Sequence, residues 1–294
     1  MSDEPRPPLN EPPASSESGD DASPSPDPPD KPQIALFEES GEGEGDDVFL
    51  QELSPGVAAV VFKARQKSVN ILTTPVMHRL RELVRTVRGS THIRALVVMS
   101  GHPDSFIVGA DVNEIAGVTD PAVGRQAAEL GQSIFGEIAD LPIPVVAAID
   151  GTCLGGGAEL ALACHYRIAS DSPKVRIGLP EVRLGILPGF GGTQRLPRLV
   201  GLPRALDMIL SSKNLDGRRA KRAGLVDVVV PQVIFDNEIV PFAERAAAGA
   251  APAYRVPPFK GAKKAQARPA QLTPRDRFLE SRVGLPVLFR ETRK

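Results

Sequence analysis

Two carboxylates and two glycine-bearing corners, in a fixed order, carry most of the chemistry legible in this sequence. Val145-Val146-Ala147-Ala148-Ile149 runs through Asp150-Gly151 into Leu154-Gly155-Gly156-Gly157-Ala158-Glu159, and Gly178-Leu179-Pro180-Glu181 follows before Gly191-Gly192-Thr193. The apolar β-branched run, the glycines and the segment Ala158 to Ala163 read as a buried strand, a tight loop and a helix start. Glycines let backbone N–H groups approach a ligand closely. The first N–H groups of a helix lack internal acceptors and sit at its positive end, so this corner suits an oxyanion. Glu159 stands beside it in the first helical turn, and Pro180 fixes the turn that aims Glu181. Upstream, Ser105-Phe106-Ile107-Val108-Gly109-Ala110-Asp111-Val112-Asn113-Glu114-Ile115 follows the strand Ala95 to Ser100 and supplies a second backbone N–H from another corner.

Each feature alone has an ordinary structural explanation. A glycine triplet after a strand serves as a tight connection. A glutamate in a first helical turn complements the macrodipole, and a glutamate after proline is ordinarily solvated. Their order together with the upstream stretch singles them out. With Phe106 to Asp111, Ala163-Cys164-His165, Arg176 to Glu181 and Leu184 through Pro197, the sequence resembles the crotonase (enoyl-CoA hydratase/isomerase) superfamily over about residues 48 to 240. Within it, the likeness is greatest to the N-terminal hydratase half of the bacterial multifunctional fatty-acid oxidation complex alpha subunit.

The resemblance implies an α/β fold, the crotonase spiral of stacked ββα units with two perpendicular sheets, over residues 48–248. It implies addition of water to 2-enoyl-CoA thioesters in fatty-acid β-oxidation, with 3-enoyl to 2-enoyl isomerisation as a second reaction. The N–H groups of Ala110 and Gly156 would form the oxyanion hole. Glu159 would act as base toward water and Glu181 as donor to the α-carbon, with the reverse order still open. The adenine of coenzyme A would lie along Val108, Ala110 and Val112. The loop Arg65-Gln66-Lys67-Ser68-Val69-Asn70 would run near the CoA phosphates, where Arg65 or Lys67 is either a phosphate contact or a solvated loop charge. A basic residue common just after the first signature is Asn113 here. Coenzyme A belongs to the substrate, and no separate cofactor or metal is implied. A homo-oligomer or a complex with a thiolase subunit is the implied assembly. The competing readings are a crotonase-fold protein acting on another acyl-CoA and a non-catalytic scaffold or RNA-binding homologue; retention of both Glu159 and Glu181 argues against the latter.

At 294 residues and 41% hydrophobic content the chain can bury a sizeable core. It has no apolar run of 18 residues, so no membrane span is expected, and the N-terminus has no signal-peptide pattern. Cys153 and Cys164 lie in apolar or glycine-rich stretches and read as reduced thiols, which points to the cytoplasm. His78, His92, His102 and His165 are scattered without metal-ligand spacing. The net charge of −1 conceals an asymmetry, because residues 1–47 hold fourteen acidic and two basic side chains. The remainder is basic, which suits a polyphosphorylated ligand. Scarce tyrosine and absent tryptophan leave few stacking platforms for nucleic acid.

Residues 1–47 read as a disordered acidic, Pro-rich tail, and Gly41 to Gly45 is not a dinucleotide fingerprint, having no strand before it. A hairpin follows over Val48 to Phe62, turning at Ser54-Pro55-Gly56. Helices are predicted from Thr74-Pro75, over Pro121 to Ala139, Leu199 to Leu210, Asp216 to Ala223 and Ile234 to Ala248. Strands are predicted over Ile93 to Ser100, after Pro142-Ile143-Pro144, over Tyr166 to Ala169, Val175 to Ile177 and Leu225 to Val230. By itself this succession suggests βαβ units. Residues 249–294 read as a basic linker and, from Asp276, a helix of the kind that leads into a dehydrogenase half in the multifunctional enzyme. The sequence contains no Rossmann fingerprint.

Overall fold

The computed structural model describes residues 47–251. The acidic tail before them and the linker and helix expected after Ala251 lie outside the described residues. In chain order the elements are β1 (Val48–Ser54), β2 (Val57–Phe62), α1 (Thr74–Gly89), β3 (Ala95–Ser100), β4 (Asp104–Ile107), α2 (Val112–Ala116) and α3 (Pro121–Ala139). There follow β5 (Val145–Ile149), β6 (Gly151–Leu154), α4 (Gly156–Ala163), β7 (Tyr166–Ser170), β8 (Arg176–Gly178) and a 3₁₀ turn at Glu181–Leu184. The chain continues through α5 (Gly192–Val200), α6 (Leu202–Leu210), α7 (Gly217–Ala223), β9 (Val228–Val230) and α8 (Phe235–Ala247).

From β3 to β9 successive strands alternate between two sheets. One is six-stranded, β1-β2-β3-β5-β7-β9, and the other three-stranded, β4-β6-β8. Apart from the antiparallel β1–β2 hairpin the pairings are parallel. In the pairs β3–β4, β5–β6 and β7–β8 the chain leaves the large sheet for the small one before the next helical segment, so the repeat is ββα. This corrects the βαβ suggestion, whose error lay at Asp150-Gly151. The sequence there reads only as a turn, but Gly151 opens a strand that pairs with β4. A Cβ on Gly151 would stand 2.1 Å from the Asp104 carbonyl carbon, so only glycine lets the chain cross at that point.

Both faces of the large sheet are covered. Along β2, Val57, Ala59 and Val61 face one apolar layer while Ala58, Val60 and Phe62 face the other. The first layer is completed by Phe235, Ile239, Phe242 and Ala243 of α8. The second holds α1, whose Val76, Leu80, Leu83, Val84 and Val87 fall on one stripe. Thr73 starts that helix by accepting from the Val76 N–H at 3.4 Å.

Two further expectations change. The single helix read over Leu199 to Leu210 is two helices, because Gly201 adopts φ 85° and Pro203, lacking an N–H, fits the first turn of a new helix rather than an interior. The strand read from Leu225 begins at Val228, because the chain turns first to bury Asp227. Asp227 Oδ2 accepts from the Arg167 backbone N–H at 2.7 Å and from its guanidinium at 3.3 Å. Arg167 also donates to the carbonyls of Leu225 at 2.9 Å and Cys164 at 2.7 Å. The pair thus ties the C-terminal end of α4 to the approach to β9. His165 is structural as well, its Nδ1 accepting from Val145 N–H and its Nε2 donating to Ala139 O. Among the described residues no helix is long and apolar enough to cross a membrane.

Candidate active site

The site forms where two ββα corners meet. The first corner is the end of β4. Val108 N–H donates to Asn70 O at 2.9 Å and Leu72 N–H donates to Gly109 O at 2.8 Å, which lays the segment 70–72 beside 108–110. The buried Asn70 side chain fastens this seam. Its Nδ2 lies 2.8–3.0 Å from Phe62 O, Ser100 Oγ and Phe106 O, which share its two N–H donors, and its Oδ1 accepts from Ala64 N–H at 3.0 Å. One amide thereby joins the ends of β2, β3 and β4, with its hydrogen-bonding capacity nearly filled. Asp111 then caps α2 by accepting from Asn113 N–H at 2.8 Å.

The second corner follows β6. Gly155 takes φ 53° and ψ −128°, a conformation open to glycine, and its N–H donates to Gly178 O at 3.0 Å. Helix α4 begins at Gly156, so the Gly156 N–H is one of the donors without an intrahelical acceptor. A methyl at Gly156 would stand 3.4 Å from the Ala110 nitrogen, and one at Gly109 would stand 3.8 Å from the Gly156 nitrogen. The two predicted oxyanion donors are therefore neighbours, although 46 residues separate them in the sequence.

Glu159, one turn into α4, is 2% exposed. Its Oε1 accepts from Phe190 N–H at 2.9 Å and from Gly192 N–H at 2.7 Å, at the N-terminus of α5. Burial pushes its carboxyl up to about 7; the Gly192 and Phe190 N–H groups and Arg195 pull it back, while Glu181 raises it. Glu181, 9% exposed, begins the 3₁₀ turn, and burial also raises its carboxyl above the ordinary value. A Cβ on Gly155 would lie 3.3 Å from Glu181 Oε1, so this carboxyl covers the second corner. Its Oε2 is buried and has no hydrogen-bond partner among the described residues. The two carboxyls thus occupy unlike surroundings beside one pair of N–H groups, the condition for dividing acid and base work.

Of the remaining predicted residues, Val108 and Ala110 are half-buried along the first corner and Val112 is 51% exposed at the start of α2. Lys67 Nζ lies 3.7 Å from Asp111 Oδ2, next to Ala110. Arg65 is exposed, and its backbone N–H donates to Asp47 Oδ1 at the foot of β1. From sequence alone Asn70, Phe190, Gly192 and Arg195 carry no assigned role. Asn70 lay inside a loop read for its cations, and the other three belong to a motif read only as a likeness. Phe190 is set by an edge-on contact with Phe135 of α3, centroids 5.6 Å apart.

Strands alternating between two sheets, with glycine corners from successive repeats meeting side by side, make this the crotonase fold. A model of the enoyl-CoA hydratase/isomerase family matches residues 52–282. The chain belongs to that family. Among solved structures it resembles an enoyl-CoA hydratase from Geobacillus kaustophilus HTA426 at 32% identity and TM-score 0.65, covering 68% of this chain and 74% of that one. An enoyl-CoA hydratase from Bacillus anthracis matches at 33% identity and TM-score 0.63, over 69% and 77% of the two chains. Pseudomonas aeruginosa DspI matches at 32% identity and TM-score 0.65, over 73% and 79%. The family acts on acyl-CoA thioesters.

Proposed function

We propose that the protein hydrates 2-enoyl-CoA thioesters in fatty-acid β-oxidation. The observation that carries this is the pair of buried carboxyls, Glu159 and Glu181, flanking the adjacent N–H groups of Ala110 and Gly156. The thioester oxygen accepts from both N–H groups as negative charge develops on it, and loss of one such donor typically costs on the order of 3 kcal/mol. Glu159 takes a proton from water, whose oxygen bonds to the β-carbon, and Glu181 delivers a proton to the α-carbon. Two N–H donors and Arg195 favour ionised Glu159, whereas Glu181 Oε2 has no donor to hold it as an anion. Burial raises both carboxyls, and the arriving substrate, by excluding water, further favours a single proton shared between them.

Moving a proton between the α- and γ-carbons needs the same groups, so 3-enoyl to 2-enoyl isomerisation is a second reaction of this site. The adenine lies along Val108 and Val112, with Lys67 and Arg65 toward the phosphates. No cofactor beyond the substrate's own coenzyme A is required. The motif likeness to the multifunctional oxidation enzyme supports a homo-oligomer or a thiolase-containing assembly. The test is hydration of crotonyl-CoA by the purified full chain, followed as loss of the enoyl-thioester absorbance. Turnover that disappears in Glu159→Gln and Glu181→Gln is expected; no turnover by the unaltered protein with enoyl-CoA esters of any length would reject the assignment.

A further inference from the structure

Arg195 is a buried cation in the first turn of α5, where the helix dipole is positive. Burial there is costly for a guanidinium, and it also holds the group's pKa below its ordinary value. Two observations say what the position serves. Arg195 Nη1 donates to Phe190 O at 3.0 Å, so the guanidinium grips the turn whose Phe190 and Gly192 N–H groups hold Glu159 Oε1. That turn also leaves room for it, since a Cβ on Gly191 would stand only 2.3 Å from Nη1.

We infer that Arg195 is a positioning residue for the reaction proposed above: it fixes the turn whose N–H groups orient Glu159, and its positive charge stands on the side of the ionised base. The inference rests on Glu159 serving that role. The charged groups acting on Glu159 are Glu181, which opposes its ionisation, and Arg195, which favours it. Those acting on Arg195 are Glu159 and Asp140 at the end of α3, with Arg198 on α5 opposing them; the Cys164 thiol at the end of α4 faces it too but is held neutral by burial. Arg195 thus opposes, in part, the effect of burial and of Glu181 on this carboxyl.

The experiment uses the full chain with ¹³C-carboxyl-labelled glutamate, with Glu159 assigned by comparison with Glu159→Gln. In Arg195→Met the Glu159 carboxyl should titrate measurably higher than in the unaltered protein. The acid limb of kcat/KM for crotonyl-CoA should move up by the same amount, and the affinity for free CoA should change less than threefold. Arg195→Lys, which keeps the charge but not the planar fork, should leave both within about half a unit while lowering kcat. An unmoved Glu159 titration in a folded Arg195→Met overturns the inference. Should that variant not fold, a shift of a unit or more in Arg195→Lys overturns it instead. A shifted titration in a protein without hydratase activity would support the role of Arg195 and reject the reaction, so the two failures are separable.

Discussion

Gly156→Ala and Gly157→Ala, one residue apart, should fail in opposite ways. A methyl at Gly156 would stand 3.1 Å from Leu72 Cδ1, 3.4 Å from Phe190 Cδ2 and 3.4 Å from the Ala110 nitrogen. Gly156 does not have a positive φ, and its tightest neighbours are side-chain ends that can shift. The cost to the fold should be near the low end of overpacking, about 1 kcal/mol, or a Tm lower by about 2–4 °C. Chemistry should suffer more, because the thioester oxygen needs to sit about 2.9 Å from both nitrogens in space that the methyl crowds. Losing the better part of one donor, on the order of 3 kcal/mol, lowers kcat roughly a hundredfold. Affinity for an enolate-like analogue should fall more than affinity for free CoA. A methyl at Gly157 meets the Ile107 carbonyl oxygen at 2.2 Å, and a strand backbone cannot give way. That variant should be poorly soluble or melt on the order of 10 °C lower. The assays are thermal unfolding, crotonyl-CoA hydration and ligand titration. Hydration by Gly156→Ala within about threefold of normal, or unfolding of the two variants to the same extent, would refute the reasoning.

Glu159→Gln and Glu181→Gln should each lower hydration kcat at least about a hundredfold with CoA-ester affinity nearly intact; normal turnover in either removes that residue from the mechanism. Stability should also depend on Glu159 in a defined direction. Its carboxyl rises from 4.5 to about 7 on folding, so the folded state binds this proton more tightly than the unfolded chain. The resulting stabilisation is complete below about pH 4.5 and lost as pH rises through about 7, roughly 3 kcal/mol in all. Urea unfolding of the normal protein and Glu159→Gln at pH 4.5 and pH 8 should therefore converge or diverge by about that amount, the normal protein being relatively weaker at pH 8; a constant difference contradicts it. Asp227→Ala leaves the Arg167 guanidinium buried without its carboxylate and should cost about 3–5 kcal/mol, measured as unfolding free energy. A loss under about 1 kcal/mol would mean that the backbone carbonyls alone satisfy Arg167.

Local sequence determined the parts of this protein whose physics is local. Strand β2 and strand β5 are legible because both faces are buried, leaving uninterrupted apolar runs, and α1 because Thr73, Pro75 and the stripe from Val76 to Val87 mark a start and a face. Glu159, Glu181 and the two glycine corners stood out because backbone donors and carboxyls must be delivered by particular residue types at turns. What the chain order cannot contain is which turns meet. Gly151 reads as a turn until the second sheet occupies the place its side chain would need. The break at Gly201 is decided by a positive φ that no apolar periodicity registers. Asn70 and Arg195 look like a loop amide and a helix charge, and their partners lie at Phe106, Ser100 and Phe190, reached only after the sheets close. The sequence by itself determined which groups could do chemistry. Tertiary structure decided how burial shifts each carboxyl and which N–H groups stand side by side, because burial and distance belong to the folded arrangement.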